Sequence, residues 1–405
     1  MDLFDTLKAR GFVADCTDEA AVRKLFATEQ TTIYIGFDPT ADSLHAGSLV
    51  QLMALAHMQR AGHRVIALVG GGTAMVGDPS GKTELRAMLS NEQLEANKAG
   101  ISAQIRRFID LDGERGIMVD NADWLLGLNY IQFLREVGRH FSVNRMLAAE
   151  SYKIRLEKGL SFIEFNYQIL QAYDFLELFR RYGCKVQMGG SDQWGNIVAG
   201  LDLVRRLGPG EVYGLTSPLV MTASGEKMGK TAAGAVWLDA ERLSAFEYFQ
   251  YWRNVTDADV GRFLRLFTFL PLAEIESLEA LTGAEINSAK EKLAFEATKI
   301  VHGAEAAEQA LAGARAAFAG GGQVDDIPTH QAILPRPIVD LLVDCGLCAS
   351  KGDARRQIKG GAVKLGDDKA RVDDPNMVIG PEHLDADGSV ALWKGKKNTV
   401  RIVTG

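Results

Sequence analysis

Apolar positions in the first half of the chain follow two rhythms. Short β-rich runs at Thr32–Phe37 (TIYIGF) and at 65–69 (VIALV) predict buried strands. Between them, residues 48–60 space Leu49, Leu52, Met53, Ala56 and Met58 at helical intervals. Strand, helix and strand in that order predict a βαβ unit, and so an α/β fold with a parallel sheet covered by helices. Further strands are expected at 116–119 and 184–188. From about residue 238 to 318 the rhythm is helical throughout, as in Val260, Phe263, Leu264 and Phe267. Gly320-Gly321-Gly322 and the QVDDIP after it break the rhythm, as linkers do. Beyond lie a helix-like ASKGDARRQIKGG and strand-like pieces at 362–365 and 370–372 around a Gly366-Asp367-Asp368 turn. The expected domains are therefore an α/β parallel-sheet domain over 1–235, an all-helical domain over 236–319, a linker over 320–334 and a small α+β domain over 335–405.

Size agrees, since 405 residues suit two or three domains. No apolar run reaches the length that crosses a bilayer, so no membrane partner is expected. The start, MDLFDTLKARGF, carries acidic residues and lacks the apolar core of a secretory signal, so a cytoplasmic location is expected. Cys16, Cys184, Cys345 and Cys348 are too scattered for a disulfide framework. The lone Cys345-Gly-Leu-Cys348 has no second pair to complete a zinc site, so structural thiols and no protein-held metal are expected.

Charge changes the picture at one end. The net charge of −7 is uneven, because residues 335–405 hold 12 Lys/Arg against 10 Asp/Glu. Within 351–371 the balance is 7 against 3, a local basic surface suited to RNA on an otherwise acidic body. Lys351, Arg355, Arg356 and Lys359 fall on one predicted helix, with Lys364 following on a strand. Structured RNA is met largely through phosphates and 2′-hydroxyls, which such a face can contact.

Two stretches raise the question of a nucleotide. Residues 77–83 read GDPSGKT, with the ending of a phosphate-binding P-loop. Three residues instead of four precede that ending, Val76 stands where the first glycine belongs, and Pro79 lacks an N–H. A nucleotide is therefore expected elsewhere. The first strand runs into GFDPTADSLHAGSLVQL at 36–52, which places backbone N–H groups and His45 at the carboxyl edge of a parallel sheet. Read alone, that stretch is better taken as a plain connection with a capping Asp or Ser and a histidine without a special role.

His45-Ala46-Gly47-Ser48 resembles the HIGH signature of class I aminoacyl-tRNA synthetases, and Lys227-Met228-Gly229-Lys230-Thr231 resembles their KMSKS loop. EFNYQILQAYDFL at 164–176, QMGGSDQWGN at 187–196 and Tyr34 are similar to the bacterial tyrosyl-tRNA synthetases. The resemblance runs over essentially the whole chain and includes a C-terminal piece that looks like an S4 RNA-binding domain. It implies a Rossmann-like catalytic domain with a connective insertion, helices on the anticodon side, and an S4-like domain against the variable arm of tRNA. The implied reaction joins L-tyrosine and ATP into tyrosyl-adenylate, with Mg2+ held mainly by the ATP phosphates, and then transfers tyrosine to the 3′ end of tRNA(Tyr). A homodimer with an interface around 120–165 is also implied.

Carried over position by position, the resemblance makes Tyr34 and Asp174 the partners of the phenolic hydroxyl. Tyr167, Gln171 and Asp78 hold the ammonium group, and Gln193 lies near the carboxylate. Gly36, Asp38, Thr40, His45, Gly47 and Lys230 line the ATP site, and Asp192 binds the ribose. His45, Lys82, Arg86, Lys227 and Lys230 act on the phosphates. Ser48 departs from the family pattern, which has a second histidine there; a hydroxyl still donates a hydrogen bond but carries no charge.

These roles make chemical sense in their own right. Attack on the α-phosphate needs in-line positioning and positive donors, with no acid/base pair or covalent nucleophile. On a helix Tyr167, Gln171 and Asp174 share a face, a polar stripe among Phe165, Ile169, Leu170, Phe175 and Leu176 that needs partners. A phenol both donates and accepts, which suits Tyr34 with Asp174; an indole only donates, which disfavours a tryptophan-specific relative. A synthetase fold that has lost catalysis and only binds RNA is disfavoured by His45, Lys227, Lys230 and the intact tyrosine string.

Overall fold

The computed structural model describes the chain except residues 1, 81–88, 112, 150, 151, 153, 154, 158, 209, 224, 226, 227, 232, 233, 320–327, 386, 387, 396, 397 and 405; at 230, 231 and 317–319 it describes the backbone alone. It divides into two compact units, Met1–Leu311 and Ala312–Gly405.

The first unit is built on a six-stranded sheet, β1 (Asp15–Cys16), β2 (Thr32–Phe37), β3 (Arg64–Val69), β4 (Gly116–Asp120), β5 (Cys184–Gly190) and β6 (Tyr213–Ser217), in the order β1-β6-β5-β2-β3-β4. Neighbours are parallel except β1, which runs antiparallel to β6. The four apolar runs became β2 to β5. The chain winds from β2 through β3 to β4 on one side and from β5 to β6 on the other, so the direction reverses between β2 and β5. At such a reversal the connections leave in opposite directions and open a crevice at the carboxyl ends of the strands. In register, Tyr34 of β2 stands beside Ile66 on one side and Gln187 on the other.

Helix Leu49–Arg60 links β2 to β3 and buries Leu49, Leu52, Met53, Ala56 and Met58, the predicted face. The 21-residue helix Phe162–Tyr182 leads into β5. It starts with a capping box between Ser161 and Glu164, and ends where Gly183 turns left-handed at φ 62°. Arg155 grips Glu164 with two bonds, Nε to Oε1 at 3.0 Å and Nη2 to Oε2 at 3.1 Å, both side chains nearly buried. Burial works to raise Glu164, but the bonds from Arg155 and Ser161 outweigh it and hold the carboxyl below its usual range. Arg155→Ala strands a buried carboxylate at the start of this helix and is expected to destabilise the fold by about 3–5 kcal/mol. Urea unfolding measures the loss, and an unchanged midpoint would contradict it.

The helices of 245–311 join the same unit. Arg10, 5% exposed, donates to the carbonyls of Arg265 at 3.1 Å and Thr268 at 2.9 Å, satisfying the end of helix Asp257–Phe267. Val260, Phe263, Leu264 and Phe267 are buried there, as their spacing predicts, with Phe263 and Phe267 against Trp252.

In the second unit, Ala370–Arg371, Val363–Leu365, Ser389–Lys394, Asn398–Thr404 and Thr329–Ala332 form a five-stranded sheet in that order. The turn expected at 366–368 joins the first two of these strands. Thr329–Ala332 falls inside the expected linker but pairs in parallel with Asn398–Thr404, because a strand edge left open there accepts a partner. Helix Lys351–Lys359 packs Ala354 and Ile358 inward with Ile338, Leu341 and Leu342 of helix Ile338–Asp344. Cys348 is buried and Cys345 half-buried, both thiols free and pushed up by burial.

Candidate active site

A cleft of about 310 Å3 opens where β2 and β5 end. Gly36 and Asp38 from β2 and its exit line one side, and Gly189 and Gly190 of β5 the other. The polar stripe of helix Phe162–Tyr182 closes it: Tyr167 and Asp174 are buried and Gln171 half-buried, all three in its lining.

At the deepest part, Tyr34 and Asp174 are each 1% exposed. Asp174 Oδ2 accepts from Asn121 Nδ2 at 2.9 Å and Oδ1 from Trp124 Nε1 at 2.8 Å, which fixes the carboxylate plane. Burial pushes its pKa up to about 8, against those two donors and with the charges of Asp38 and Asp120 adding to the rise. The Tyr34 hydroxyl is buried without a hydrogen-bond partner among the described residues. Its ring rests on Phe175 at 5.4 Å, and burial with the nearby Asp174 charge keeps it firmly protonated.

Asn121, fully buried, is the hub of this corner. It donates also to Thr73 Oγ1 at 2.9 Å and accepts from the N–H of Gly72 at 2.8 Å. Thr73 passes the chain to Asp38 Oδ1 at 3.2 Å, and Tyr167 donates to Asp38 Oδ2 at 3.3 Å.

A second chain runs through Asp78, whose Oδ2 accepts from Gln193 Nε2 at 2.7 Å and Oδ1 from the Ser80 N–H at 2.9 Å. Burial, then the charge of Asp38, push Asp78 up to about 6. Gln193 Nε2 also reaches Asp192 at 3.3 Å, and Asn196 donates to Gln193 and to Gln171, each at 3.1 Å. Gln187 of β5 lines the cleft with its buried Oε1 lacking a partner among the described residues.

His45 and Gly47 line the mouth. The Gly47 N–H donates to His45 Nδ1 at 3.0 Å, so a neutral imidazole carries its proton on Nε2. A Cβ on Gly47 would stand 2.7 Å from His45 Cε1 and 2.9 Å from the Met228 carbonyl oxygen. Gly229, at φ 80°, lies equally close, since a Cβ there would stand 2.5 Å from the Gly47 nitrogen. The two short sequence signatures therefore touch backbone to backbone.

Of the other expected residues, Thr40 is exposed and lies outside the cleft lining, its N–H bonded to Asp38 O at 2.8 Å. Lys230 contributes backbone to a short pair with Ala235. Lys82, Arg86 and Lys227, and the side chain of Lys230, lie outside the described residues. Asn121, Trp124, Thr73, Ser80 and Gln187 were not anticipated. In the second unit, Lys351, Arg355, Arg356 and Lys359 are all exposed on helix Lys351–Lys359; Lys351 pairs with Asp340 at 2.8 Å and Arg356 with Asp353 at 3.4 Å.

Residues 27–319 match the family model described as tRNA synthetases class I (W and Y), and residues 321–402 match that of the Tyrosine--tRNA ligase SYY-like C-terminal domain. A Tyrosine--tRNA ligase of Clostridium botulinum (strain 657 / Type Ba4) is 53% identical over 407 residues, covering 100% of this chain and 99% of that one. A Tyrosine--tRNA ligase of Desulfosudis oleivorans is 54% identical over 432 residues, with the same 100% and 99% coverage. Among solved structures, a C-terminally truncated Aspergillus nidulans mitochondrial tyrosyl-tRNA synthetase aligns with a TM-score of 0.69 at 31% identity, over 78% of this chain and 93% of that one.

Proposed function

Because the chain belongs to the class I tRNA synthetases for tryptophan and tyrosine, and within them is a tyrosine–tRNA ligase acting on tyrosine, ATP and tRNA, we propose a division of labour among its cleft residues. The observation that carries it is the pairing deep in the cleft of a hydroxyl without a partner among the described residues and a carboxylate held by two N–H donors. Tyr34 donates to the phenolic oxygen of tyrosine and Asp174 accepts its proton, which uses the donor and the acceptor of a phenol at once. Phenylalanine would leave the buried Tyr34 hydroxyl unpaired and offer Asp174 no phenolic donor.

Asp78, Tyr167 and Gln171 take the α-ammonium group, and Gln193 takes the carboxylate. Gly36 leaves the strand edge open to ATP, Asp38 and Thr40 flank it, and Asp192 holds the ribose. His45 donates from Nε2 to the phosphates beside Gly47, and Lys82, Arg86, Lys227 and Lys230 supply positive charge as pyrophosphate leaves. Mg2+ accompanies ATP, held on its phosphates and water.

The helices of 236–319 face the anticodon side of tRNA, and the basic helix Lys351–Lys359 of the S4-like domain over 335–405 contacts RNA phosphates. The working form is a cytoplasmic homodimer. Large apolar side chains left exposed at Leu126, Tyr130, Ile131, Val143 and Phe162 support an interface around 120–165. No described helix is long and apolar enough to cross a membrane.

Exchange of labelled pyrophosphate into ATP tests the division. It should depend on tyrosine; exchange with tryptophan and not tyrosine would overturn it. A pH dependence also follows. Asp174 and Asp78 titrate near 8 and 6 in the free protein, and both substrate contacts favour their ionised forms. A carboxyl raised by folding binds more protons folded than unfolded, so its contribution to stability is lost as pH climbs from the unfolded value of about 4 through the folded one. Tyrosine recovers that loss by stabilising the charged form. Tyrosine affinity should thus weaken as pH falls from 8 to 6, and tyrosine should raise Tm more at pH 8 than at pH 6. Equal shifts at the two pH values would contradict this.

A further inference from the structure

The chain leaving the Lys227–Lys230 loop is fastened to the His45 segment. At 236–238 it lies antiparallel to 44–46: the Ala46 N–H donates to Val236 O at 2.8 Å, the Leu238 N–H donates to Leu44 O at 2.9 Å, and His45 bridges Trp237. The two rings meet edge-on, centroids 6.3 Å apart at 64°. Over the Trp237 ring sits the Arg242 guanidinium, 4.7 Å from the ring centre. Arg242 is ion-paired with Asp42, which precedes the His45 segment. Asp42, Arg242, Trp237 and His45 thus form a closed circuit. The same strand holds the loop, because the Val236 N–H donates to Gly229 O at 2.9 Å.

We propose that Trp237 is a positioning residue for adenylate formation, clamped between Arg242 and His45 so that it fixes the imidazole and the Gly229 turn in one arrangement. The proposal rests on the assignment of His45 to the ATP phosphates. Trp237 is only half-buried, so filling the core does not explain it. A flat indole offers an edge to the imidazole and a face to the guanidinium at the same time, which an aliphatic side chain cannot. Gly47 N–H and Trp237 then restrain the ring from two directions, one at Nδ1 and one at its edge. Holding a donor where charge develops matters because a displacement of about 1 Å can cost about 100-fold in rate.

Trp237→Leu keeps the backbone bridge and removes the ring. Tyrosine-dependent pyrophosphate exchange should lose about 10- to 100-fold in kcat while the Kd for tyrosine stays as in the unaltered protein, which also shows that the variant is folded. Trp237→Phe, with an edge and a face restored, should recover most of the rate. In a His45→Asn background, Trp237→Leu should cost little more, because the group it positions is gone. A Trp237→Leu loss that multiplies undiminished with His45→Asn, or a tyrosine Kd that rises in step with the fall in kcat, would reduce Trp237 to a structural residue. If His45→Asn itself leaves exchange intact, the ATP assignment fails first and carries this proposal with it.

Discussion

Asp174→Asn is expected to lower kcat/KM for tyrosine by about 100- to 5,000-fold, the equivalent of about 3–5 kcal/mol for breaking a buried charged network. The substitution keeps the volume and changes the hydrogen-bond arithmetic. In the native protein both carboxylate oxygens accept, one from Asn121 and one from Trp124. An asparagine must turn its NH2 toward one of them, setting donor against donor at about 3 Å in a fully buried corner. Its single oxygen already has a donor, and the phenolic proton then lacks a charged acceptor. Pyrophosphate exchange across a tyrosine titration measures the effect. A variant within tenfold of the native value would remove Asp174 from the phenol site.

Gly47→Ala should abolish most adenylate formation by a steric route, with a loss of at least about 100-fold in kcat and little change in tyrosine affinity. The added methyl has nowhere to go: His45 Cε1 at 2.7 Å and Nδ1 at 2.9 Å lie on one side and the Met228 carbonyl at 2.9 Å on another. The imidazole must swing away, giving up the Gly47 N–H bond that sets its tautomer. The Met228 carbonyl is backbone and yields less readily than a side-chain end, so this side of the clash is the costlier to relieve. Equilibrium tyrosine binding beside single-turnover adenylation separates the outcomes; full adenylation with weakened tyrosine binding would show that the pocket had been read backwards.

The reach of the sequence is visible in which of these residues it named. Asp174 was named through the resemblance, and the helix face it shares with Tyr167 and Gln171 amid apolar neighbours supports that reading. His45 and Gly47 were legible through the resemblance alone, since the strand-to-helix turn by itself read better as a plain capped connection. Asn121 and Trp124 were not, because each is a single residue in an ordinary strand-to-helix step. Their role appears only when β4 lies two places from β2 and its exit faces the long helix. Gln187 was hidden as one polar residue in a strand that reads as apolar. Among strands, β2 to β5 announced themselves by branched apolar runs, whereas β6 (YGLTS) and the two-residue β1 owe their pairing to position in the sheet. The helices after residue 236 were legible as helices, but the bonds from Arg10, far away in sequence, to the end of helix Asp257–Phe267 were not.

Asp38 accepts from Tyr167 with one oxygen and from Thr73 with the other, and Thr73 leads through Asn121 to Asp174. A residue proposed for the nucleotide is therefore wired to the residue proposed for the phenolic hydroxyl. Anyone reshaping this pocket to admit a different amino acid inherits that wiring: an exchange at Asp174 is expected to reach, through Asn121 and Thr73, the carboxylate proposed to flank ATP.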